Sequence, residues 1–270
     1  MSQEVQCVFP PGYDGSALLE RLGHVLDPEL DEPILQLGFI RSLIVHDGHA
    51  TIAVQLPTSW CAANFAYMMA EDIRHALLTV ADIHQVTVRL GDHFAAAAIE
   101  AAVNAGKPFP EAFPSEACGS LVPLRALFLQ KGFTNRQARL LRELRVAGLS
   151  PQSMCALRVG DVVVQGAVYL VQPGGHAPVK IGPTETLQRY LARRAELGLP
   201  CAPSTPLIID LHGQPLTVER FDTYYHTART VRVSLEANGS FCRAVLAGRQ
   251  AQLLTLGNTE GATDVHPQWP

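Results

Sequence analysis

The sequence predicts an α/β N-terminal domain, an α+β two-layer unit with a three-stranded sheet, followed by a mainly α C-terminal domain with a few short strands. Three observations predict this division. Residues 1–106 alternate segments of helical and strand-like periodicity, residues 107–123 are rich in proline, and the later segments are mainly of helical periodicity. The composition, 47% hydrophobic and 17% charged residues, is typical of a globular chain with a substantial core.

The N-terminal domain is predicted to consist of a helix, a hairpin, a helix and a strand. Ser16–Leu26 has apolar residues at helical spacing, and it ends at Asp27 because the residue before a proline is displaced from the helical region. Asp47-Gly48 favours a hairpin turn between two strand-like runs. The elements predicted after the first helix are strands over Phe39–Val45 and Ala50–Leu56, a helix over Ala62–Val80, a strand over Ile83–Leu90, and a helix from His93 to about Ala105 capped by Asp92.

The C-terminal domain is predicted over residues 124–250, after a linker at 107–123 and before a flexible tail at 251–270. Thr134 and Gln137 resemble a capping box ahead of a helix that reaches Val146. Ser150 and Pro151 are typical of the N-cap and first position of a short helix. The other predicted elements are strands over Asp161–Val171 and Pro178–Ile181 and helices over Thr184–Leu197, Thr217–Val231 and Phe241–Gln250, with loose structure from Leu254 onward.

Charge and cysteine usage argue against several classes of function. A net charge of -4 and a pI of about 6.2 give no field that would attract nucleic acid or anionic lipid. The N-terminus lacks a signal-peptide pattern, and apolar stretches such as Phe94–Ile99 are too short to span a bilayer. The six cysteines are widely spaced, without zinc-finger spacing, which is typical of thiols in a reducing compartment. We therefore expect a cytoplasmic protein without nucleic-acid or membrane partners.

Cys61 is the first candidate for chemistry. It is predicted to lie in a turn between a strand end and a helix start, where backbone N–H groups and the helix dipole stabilise a thiolate and make it a better metal ligand. Asp27 and Glu29 lie on another predicted loop that could reach the same end of the sheet, and a thiolate with carboxylates can hold iron or zinc. The spacing leaves open the alternative that Cys61 is a small buried apolar side chain.

Three motifs follow one another in this region: Val25-Leu26-Asp27-Pro28-Glu29-Leu30, then Leu37-Gly38-Phe39-Ile40, then Leu56-Pro57-Thr58-Ser59-Trp60-Cys61. Together they resemble the SufT/PaaD family of metal–sulfur cluster assembly proteins, over about residues 15–100. The resemblance implies that Cys61 handles a metal or a cluster and that Asp27, Glu29 and Thr58 lie near it. Pro28 and Gly38 are further motif positions. Ala62 is a departure, since many relatives have proline there, so the local turn can differ.

The stretch Gly91–Phe94, together with Gly106–Phe109 and Phe113-Pro114, is similar to longer relatives that accompany bacterial binuclear-iron monooxygenases. This resemblance implies that the client is such an oxygenase and that the cargo is iron or an iron–sulfur cluster, held transiently. It also makes His93 a candidate metal ligand, the alternative being a satisfied histidine at a helix start. Because one thiolate cannot complete the coordination of a cluster, transfer would need a homodimer, an external thiol or the client itself.

Residues 133–250 resemble the catalytic domain of tyrosine recombinases, or integrases, at Ala147-Gly148-Leu149-Ser150, Ala156–Val162 and Gly213–Thr217. The chemistry of such an enzyme is missing. Ser150 stands at the place of the first catalytic arginine, only Arg243 remains of a later His-x-x-Arg element, and Tyr225 is the last tyrosine in the chain. Without a nucleophile and the arginines that neutralise phosphate, strand cleavage has no mechanism.

The sequence thus favours an accessory protein, not an enzyme, that assembles or matures an iron–sulfur cluster or a metal centre. The alternative function is a catalytically inactive, integrase-like protein associated with DNA, in which Arg243 is the candidate DNA contact. An unrelated helical domain explains the same C-terminal sequence equally well.

Overall fold

A computed structural model describes residues 5–114, 119–172 and 177–259, and its architecture is mixed α/β, as predicted. The chain forms two compact units. The first contains residues up to Pro28, Glu32–Leu121 and the chain from Asn238 onward, and the second contains Glu29–Asp31 and Val122–Ala237. No helix among the described residues is long and apolar enough to cross a membrane.

The first unit is built on a four-stranded sheet. Its elements are β1 (Gln6–Val8), α1 (Ser16–Gly23), β2 (Leu26–Asp27), β3 (Glu32–Pro33), α2 (Ile34–Leu37), β4 (Ile40–His46), β5 (His49–Gln55), α3 (Ala63–Leu78), β6 (Gln85–Gly91), α4 (Ala96–Asn104) and α5 (Phe109–Ala112). The spatial order of the sheet is β1-β4-β5-β6, whereas the sequence predicts three strands. The additional strand, β1, carries no alternating pattern because all three of its residues are exposed.

Pairing within this sheet follows from its connections. β4 and β5 are antiparallel around Asp47 and Gly48, whose positive φ angles of 48° and 72° match the twist of a tight hairpin. β5 and β6 are parallel because α3 connects them as a crossover. The core combines one face of the sheet with the apolar faces of α1 and α3, and its fully buried members include Leu18, Leu22, Leu43, Ile52, Met68, Ile73 and Leu77.

One local prediction in the first unit is wrong. Asp92 does not cap the helix that follows it, since α4 begins only at Ala96 and Asp92 adopts a left-handed φ of 48°. Within the predicted linker, Phe109 of α5 and Phe113 are buried, and the Phe109 ring lies 5.3 Å from that of Tyr67. Residues 115–118 of the predicted linker lie outside the described residues.

The second unit is mainly helical, with a three-stranded antiparallel sheet. Its elements are α6 (Val122–Val146), α7 (Pro151–Ala156), β7 (Val162–Gln165), β8 (Val168–Val171), β9 (Val179–Pro183), α8 (Thr184–Glu196) and the first part of α9 (Val218–Thr259). The core gathers Phe133, Leu140, Leu144, Tyr169, Leu187, Tyr190, Ile208 and Phe221. Ser150 is the N-cap of α7, as predicted, and its hydroxyl accepts a hydrogen bond from the Ser153 amide at 3.1 Å.

Three predictions for the second half differ from the structure. Thr134 lies inside α6 and donates to the Gln130 carbonyl at 3.1 Å, so it is not a capping residue. The single predicted strand over Asp161–Val171 is a hairpin of β7 and β8 around Gly166, which has a φ of 61°. The last two predicted helices form one helix, α9, which contains Gly239 and continues past Leu254 to Thr259. Residues 260–270 of the predicted tail lie outside the described residues.

Candidate functional site

The Cys61 loop, residues 56–62, lies beside a second loop at one edge of the first unit's sheet. The parallel register of β5 and β6 pairs Gln55 with Gly91, the last residues of the two strands. Because the carboxyl ends of parallel strands meet at the same edge of a sheet, the loops that follow begin side by side. The predicted position of Cys61, between a strand end and a helix start, is confirmed.

Three contacts join the Cys61 loop to residues 92–95. The Phe94 amide donates to the Ser59 carbonyl at 3.0 Å, and His93 Nε2 lies 2.7 Å from the Cys61 carbonyl oxygen. The rings of Trp60 and Phe94 are stacked, with centroids 6.0 Å apart and planes inclined by 18°. These contacts fix the backbone on both sides of Cys61, whose own side chain is half-buried.

The hydrogen bonds of His93 define its tautomer. The Ala95 amide donates to Nδ1 at 3.2 Å, so Nδ1 carries the lone pair and Nε2 carries the hydrogen that it donates to the Cys61 carbonyl. The residue is only 7% exposed, and each ring nitrogen has a protein partner. This geometry favours His93 as a support for the Cys61 backbone, while its predicted role as a metal ligand stays a prediction.

Cys61 immediately precedes the N-terminus of α3. The N-cap residue is Ala62, with φ −58° and ψ 133°, and its methyl side chain cannot accept a hydrogen bond from the first turn. The partial positive charge of a helix N-terminus favours an anion, and a thiolate at such a position is stabilised by it. The 16 residues of α3 are enough for a developed dipole.

Arg249 of α9 holds the bases of both loops. Its guanidinium donates from Nη1 to the carbonyls of Leu56, at 3.0 Å, and Pro57, at 3.2 Å, and Nη2 pairs with the Asp92 carboxylate. Arg249 is not among the predicted site residues. Arg249 lies 157 positions after Asp92, and no local pattern signals so distant a contact.

The other predicted site residues lie on several elements. Asp27 is buried in β2, opposite Glu32 of β3 in the ladder, while Glu29 is grouped with the second unit. Gly38 ends α2 in a left-handed conformation with a φ of 76°, which explains a glycine at this motif position. The remaining two lie in loops, Thr58 half-buried in the Cys61 loop and Pro28 at the tip of the hairpin formed by β2 and β3.

Metal ligation by the predicted set stays a prediction. In the part of the chain that the structure describes, no group of three or more His, Cys, Asp or Glu side chains could hold a metal ion. Arg243, the predicted DNA contact of the alternative function, donates to the Glu32 carboxylate at 2.6 Å. The positive charge of its guanidinium is therefore paired with a carboxylate of the first unit.

Comparison with known families bears on the same region. Residues 16–90 match a family described as iron-sulfur cluster assembly protein. The matched residues, which we call the assembly region, run from α1 nearly to the end of β6 and include all three motifs and Cys61. They make up less than a third of the chain and end before His93. No curated protein and no solved structure shows significant similarity to this chain.

Asp31 lies within the matched residues but belongs to the second unit, and arginines of that same unit enclose its carboxylate. Arg136 binds it through two parallel hydrogen bonds, Nε to Oδ2 at 2.7 Å and Nη2 to Oδ1 at 2.8 Å, and Arg193 donates to Oδ1 at 2.7 Å. Arg189 donates to its backbone carbonyl at 2.7 Å. A methyl group at Gly132 would lie 2.9 Å from Oδ1, so a glycine is required beside the carboxylate.

We call Asp31, Arg136, Arg189 and Arg193 the Asp31 cluster. The side chains of Asp31, Arg136 and Arg193 are at most 6% exposed, so the charges are paired in a low-dielectric environment. The cluster was not predicted because Asp31 is more than 100 positions from each of its arginines and the nearby Asp27 and Glu29 belong to a recognisable motif.

Proposed function

We propose that the chain is an accessory protein that assembles or matures an iron–sulfur cluster or another iron centre, with Cys61 as the residue that handles the cargo. The observation that carries the proposal is the coincidence of the family match with a half-exposed cysteine at a helix N-terminus. The backbone on both sides of this cysteine is fixed by a neighbouring loop, and the residue itself is partly exposed.

The chemistry of the cargo agrees with such a site. Thiolates are ligands of iron–sulfur clusters and of soft transition-metal sites, so Cys61 supplies one coordination position. The remaining positions come from the client, from an external thiol or from a second copy of the chain. On transfer, a client thiolate forms a bond to iron as the bond between iron and the Cys61 sulfur breaks. The proton of the client thiol passes to the released sulfur or to buffer, and no net electron transfer occurs.

The client approaches the face that carries Trp60 and Phe94. These residues are 79% and 56% exposed, their rings are stacked, and Trp60 directly precedes Cys61 in the chain. Exposed tryptophan and phenylalanine are enriched at protein interfaces because they bury large areas at low entropic cost. We assign the client as a cytoplasmic binuclear-iron monooxygenase, on the resemblance of the stretch after Gly91 to relatives that accompany such enzymes.

Anaerobic reconstitution of the full chain with ferrous iron and sulfide tests the proposal. We expect charge-transfer absorption in the visible region that disappears in Cys61→Ser and persists in Cys201→Ser and Cys155→Ser. Cys201 is the stronger control because its thiol is exposed, and an exposed thiol would collect adventitious iron. Equal absorption in all three variants would contradict the assignment of Cys61.

A second variant separates cargo binding from client contact. Trp60→Ala should keep the reconstituted absorption but reduce oxygenase maturation in co-expression by about tenfold or more, the effect of losing an interface residue worth more than about 1.4 kcal/mol. Phe241→Ala is the matched control, since Phe241 is 65% exposed and lies on α9. Full maturation of the oxygenase by Trp60→Ala would contradict the proposal that the client binds at this face.

A further inference from the structure

Arg249 and residues 92–95 lie outside the assembly region, yet both contact the Cys61 loop inside it. The matched residues end at residue 90, whereas β6 continues to Gly91 and α9 lies near the end of the described chain. The surroundings of Cys61 are therefore completed by parts of the chain that the family match does not cover.

The carbonyls at the base of the Cys61 loop lie just beyond a strand and accept from Arg249. β5 ends at Gln55, and the next two residues, Leu56 and Pro57, are buried. Buried backbone carbonyls are almost always paired, and a proline has no N–H with which to continue a strand ladder. Arg249 donates from Nη1 to both carbonyls, at 3.0 Å and 3.2 Å.

The second terminal nitrogen of the same guanidinium reaches the neighbouring loop. Nη2 pairs with the carboxylate of Asp92, whose left-handed φ of 48° is uncommon for a residue other than glycine. The next residue, His93, lies 2.7 Å from the Cys61 carbonyl oxygen through Nε2. A chain of contacts therefore runs from Arg249 through Asp92 and His93 to the backbone of Cys61.

The two sets of contacts that Arg249 makes differ in expected strength. The side chain of Asp92 is 69% exposed, so solvent screens its pair with Arg249 and that pair alone contributes little. The two carbonyls belong to buried residues, and hydrogen bonds from a charged donor are stronger than those between neutral groups. The planar fork of a guanidinium can serve both sets at once, which the single ammonium of lysine does less well.

We propose that Arg249 is a positioning residue for Cys61. By joining the two loops at their bases, it fixes the backbone from which the Cys61 side chain binds its cargo. The part of α9 that carries Arg249 belongs to the first unit and is therefore a component of the cargo site. The consequence for cargo rests on the proposed function, whereas the support of the loops by Arg249 does not.

Amide hydrogen exchange of the full chain, followed by NMR, tests the support of the loops. In Arg249→Met, which keeps an apolar stem and removes every donor, the amides of Phe94 and Ala95 should exchange about tenfold or more faster, because the hydrogen bonds that protect them open more often. Arg249→Lys should restore part of the protection. Asp92→Asn, which loses only the screened pair, should have a smaller effect than Arg249→Met.

Arg232→Met is the matched control. Arg232 lies on the same helix but in the second unit, its side chain is 13% exposed against 21% for Arg249, and it pairs with Glu236 at 2.6 Å. Its replacement should leave the exchange of the Phe94 and Ala95 amides unchanged. Exchange in Arg249→Met as slow as in the unaltered protein, or equal acceleration in Arg232→Met, would overturn the role of Arg249.

Anaerobic reconstitution with ferrous iron and sulfide tests the consequence for cargo. Arg249→Met should lose most of the charge-transfer absorption that the unaltered protein gains, Arg249→Lys should recover part of it, and Arg232→Met should match the unaltered protein. Full absorption in Arg249→Met, despite faster exchange of the loop amides, would overturn the positioning role. Absence of absorption in the unaltered protein would contradict the proposed function instead, and the exchange rates would still decide whether Arg249 supports the loops.

Discussion

At the Cys61 loop the protein holds backbone atoms in place, whereas at the Asp31 cluster it holds the side chain itself. His93 and Phe94 bind the carbonyls of Cys61 and Ser59, and Cys61 itself is partly exposed. Around Asp31, both carboxylate oxygens accept from guanidinium groups and the side chain is 3% exposed.

The difference indicates what each polar group is for. A side chain that exchanges a ligand must be held in position while it can still bind that ligand. Hydrogen bonds to the neighbouring backbone carbonyls can position it in this way. A group that holds a fold together is satisfied completely, because an unpaired buried charge is costly. On this criterion Asp31 is structural, whereas Cys61 is partly exposed, which is compatible with the exchange proposed for it.

Replacing Asp31 should have the largest effect. In Asp31→Asn the buried arginines lose their counter-charge, and we expect the free energy of unfolding to fall by about 3 kcal/mol or more. Urea unfolding followed by circular dichroism measures this. Asp47→Asn is the matched control: both aspartates have a left-handed φ, 56° and 48°, but Asp47 is 88% exposed, so its replacement should cost less than about 0.5 kcal/mol. Similar losses in the two variants would mean that backbone conformation, and not buried charge, governs Asp31.

Alkaline pH should have the second-largest effect on stability, because it ionises buried tyrosines of the second unit. Burial raises the pKa of Tyr190 from 10.0 to about 12, and its hydroxyl donates to the Leu207 carbonyl at 2.7 Å. Below pH 10 both folded and unfolded chains keep the phenol proton. Between pH 10 and 12 only the unfolded chain releases it, so stability falls by up to about 1.4 kcal/mol per pH unit for this group.

Burial also raises the pKa values of Tyr169 and Tyr224, so the decline with pH has several contributors. Tyr190→Phe should therefore make the decline less steep without abolishing it. The free energy of unfolding, measured by urea titration at several pH values in this range, provides the two slopes. Identical slopes in the two proteins would contradict a raised pKa at Tyr190.

His93 should have the smallest effect on stability and a diagnostic effect on cargo. His93→Ala removes the donor to the Cys61 carbonyl, and we expect the free energy of unfolding to fall by about 1 kcal/mol and reconstitution with iron and sulfide to decline. His93→Gln, whose amide can donate to the same carbonyl, should retain most of the iron. If His93 is instead a metal ligand, both variants will lose iron alike, since a glutamine amide is a poor ligand for iron.

Local sequence signals account for the elements that were predicted correctly. The hairpin of β4 and β5 follows from Asp47-Gly48, and the turn at Cys61 follows from the change of a strand-like to a helical period. The cap at Ser150 is equally local. Each of these depends on residues within a few positions of one another, where backbone preferences dominate.

The features that sequence missed depend on distant residues or on weak periodicity. Arg249 reaches loops that precede it by more than 150 positions, and Arg136 reaches Asp31 across 105. The exposed strand β1 has no alternation to detect, and the long helix α9 contains glycines that suggest a break. These features depend on tertiary contacts, which cannot be predicted from a short stretch of sequence.

Iron and acid-labile sulfide analysis of protein purified without oxygen tests the central claim most directly. The account predicts that the full chain retains both iron and sulfide, that Cys61→Ser retains neither, and that Cys201→Ser matches the unaltered protein. Equal iron and sulfide in Cys61→Ser and in the unaltered protein would contradict the claim that Cys61 handles an iron–sulfur cargo.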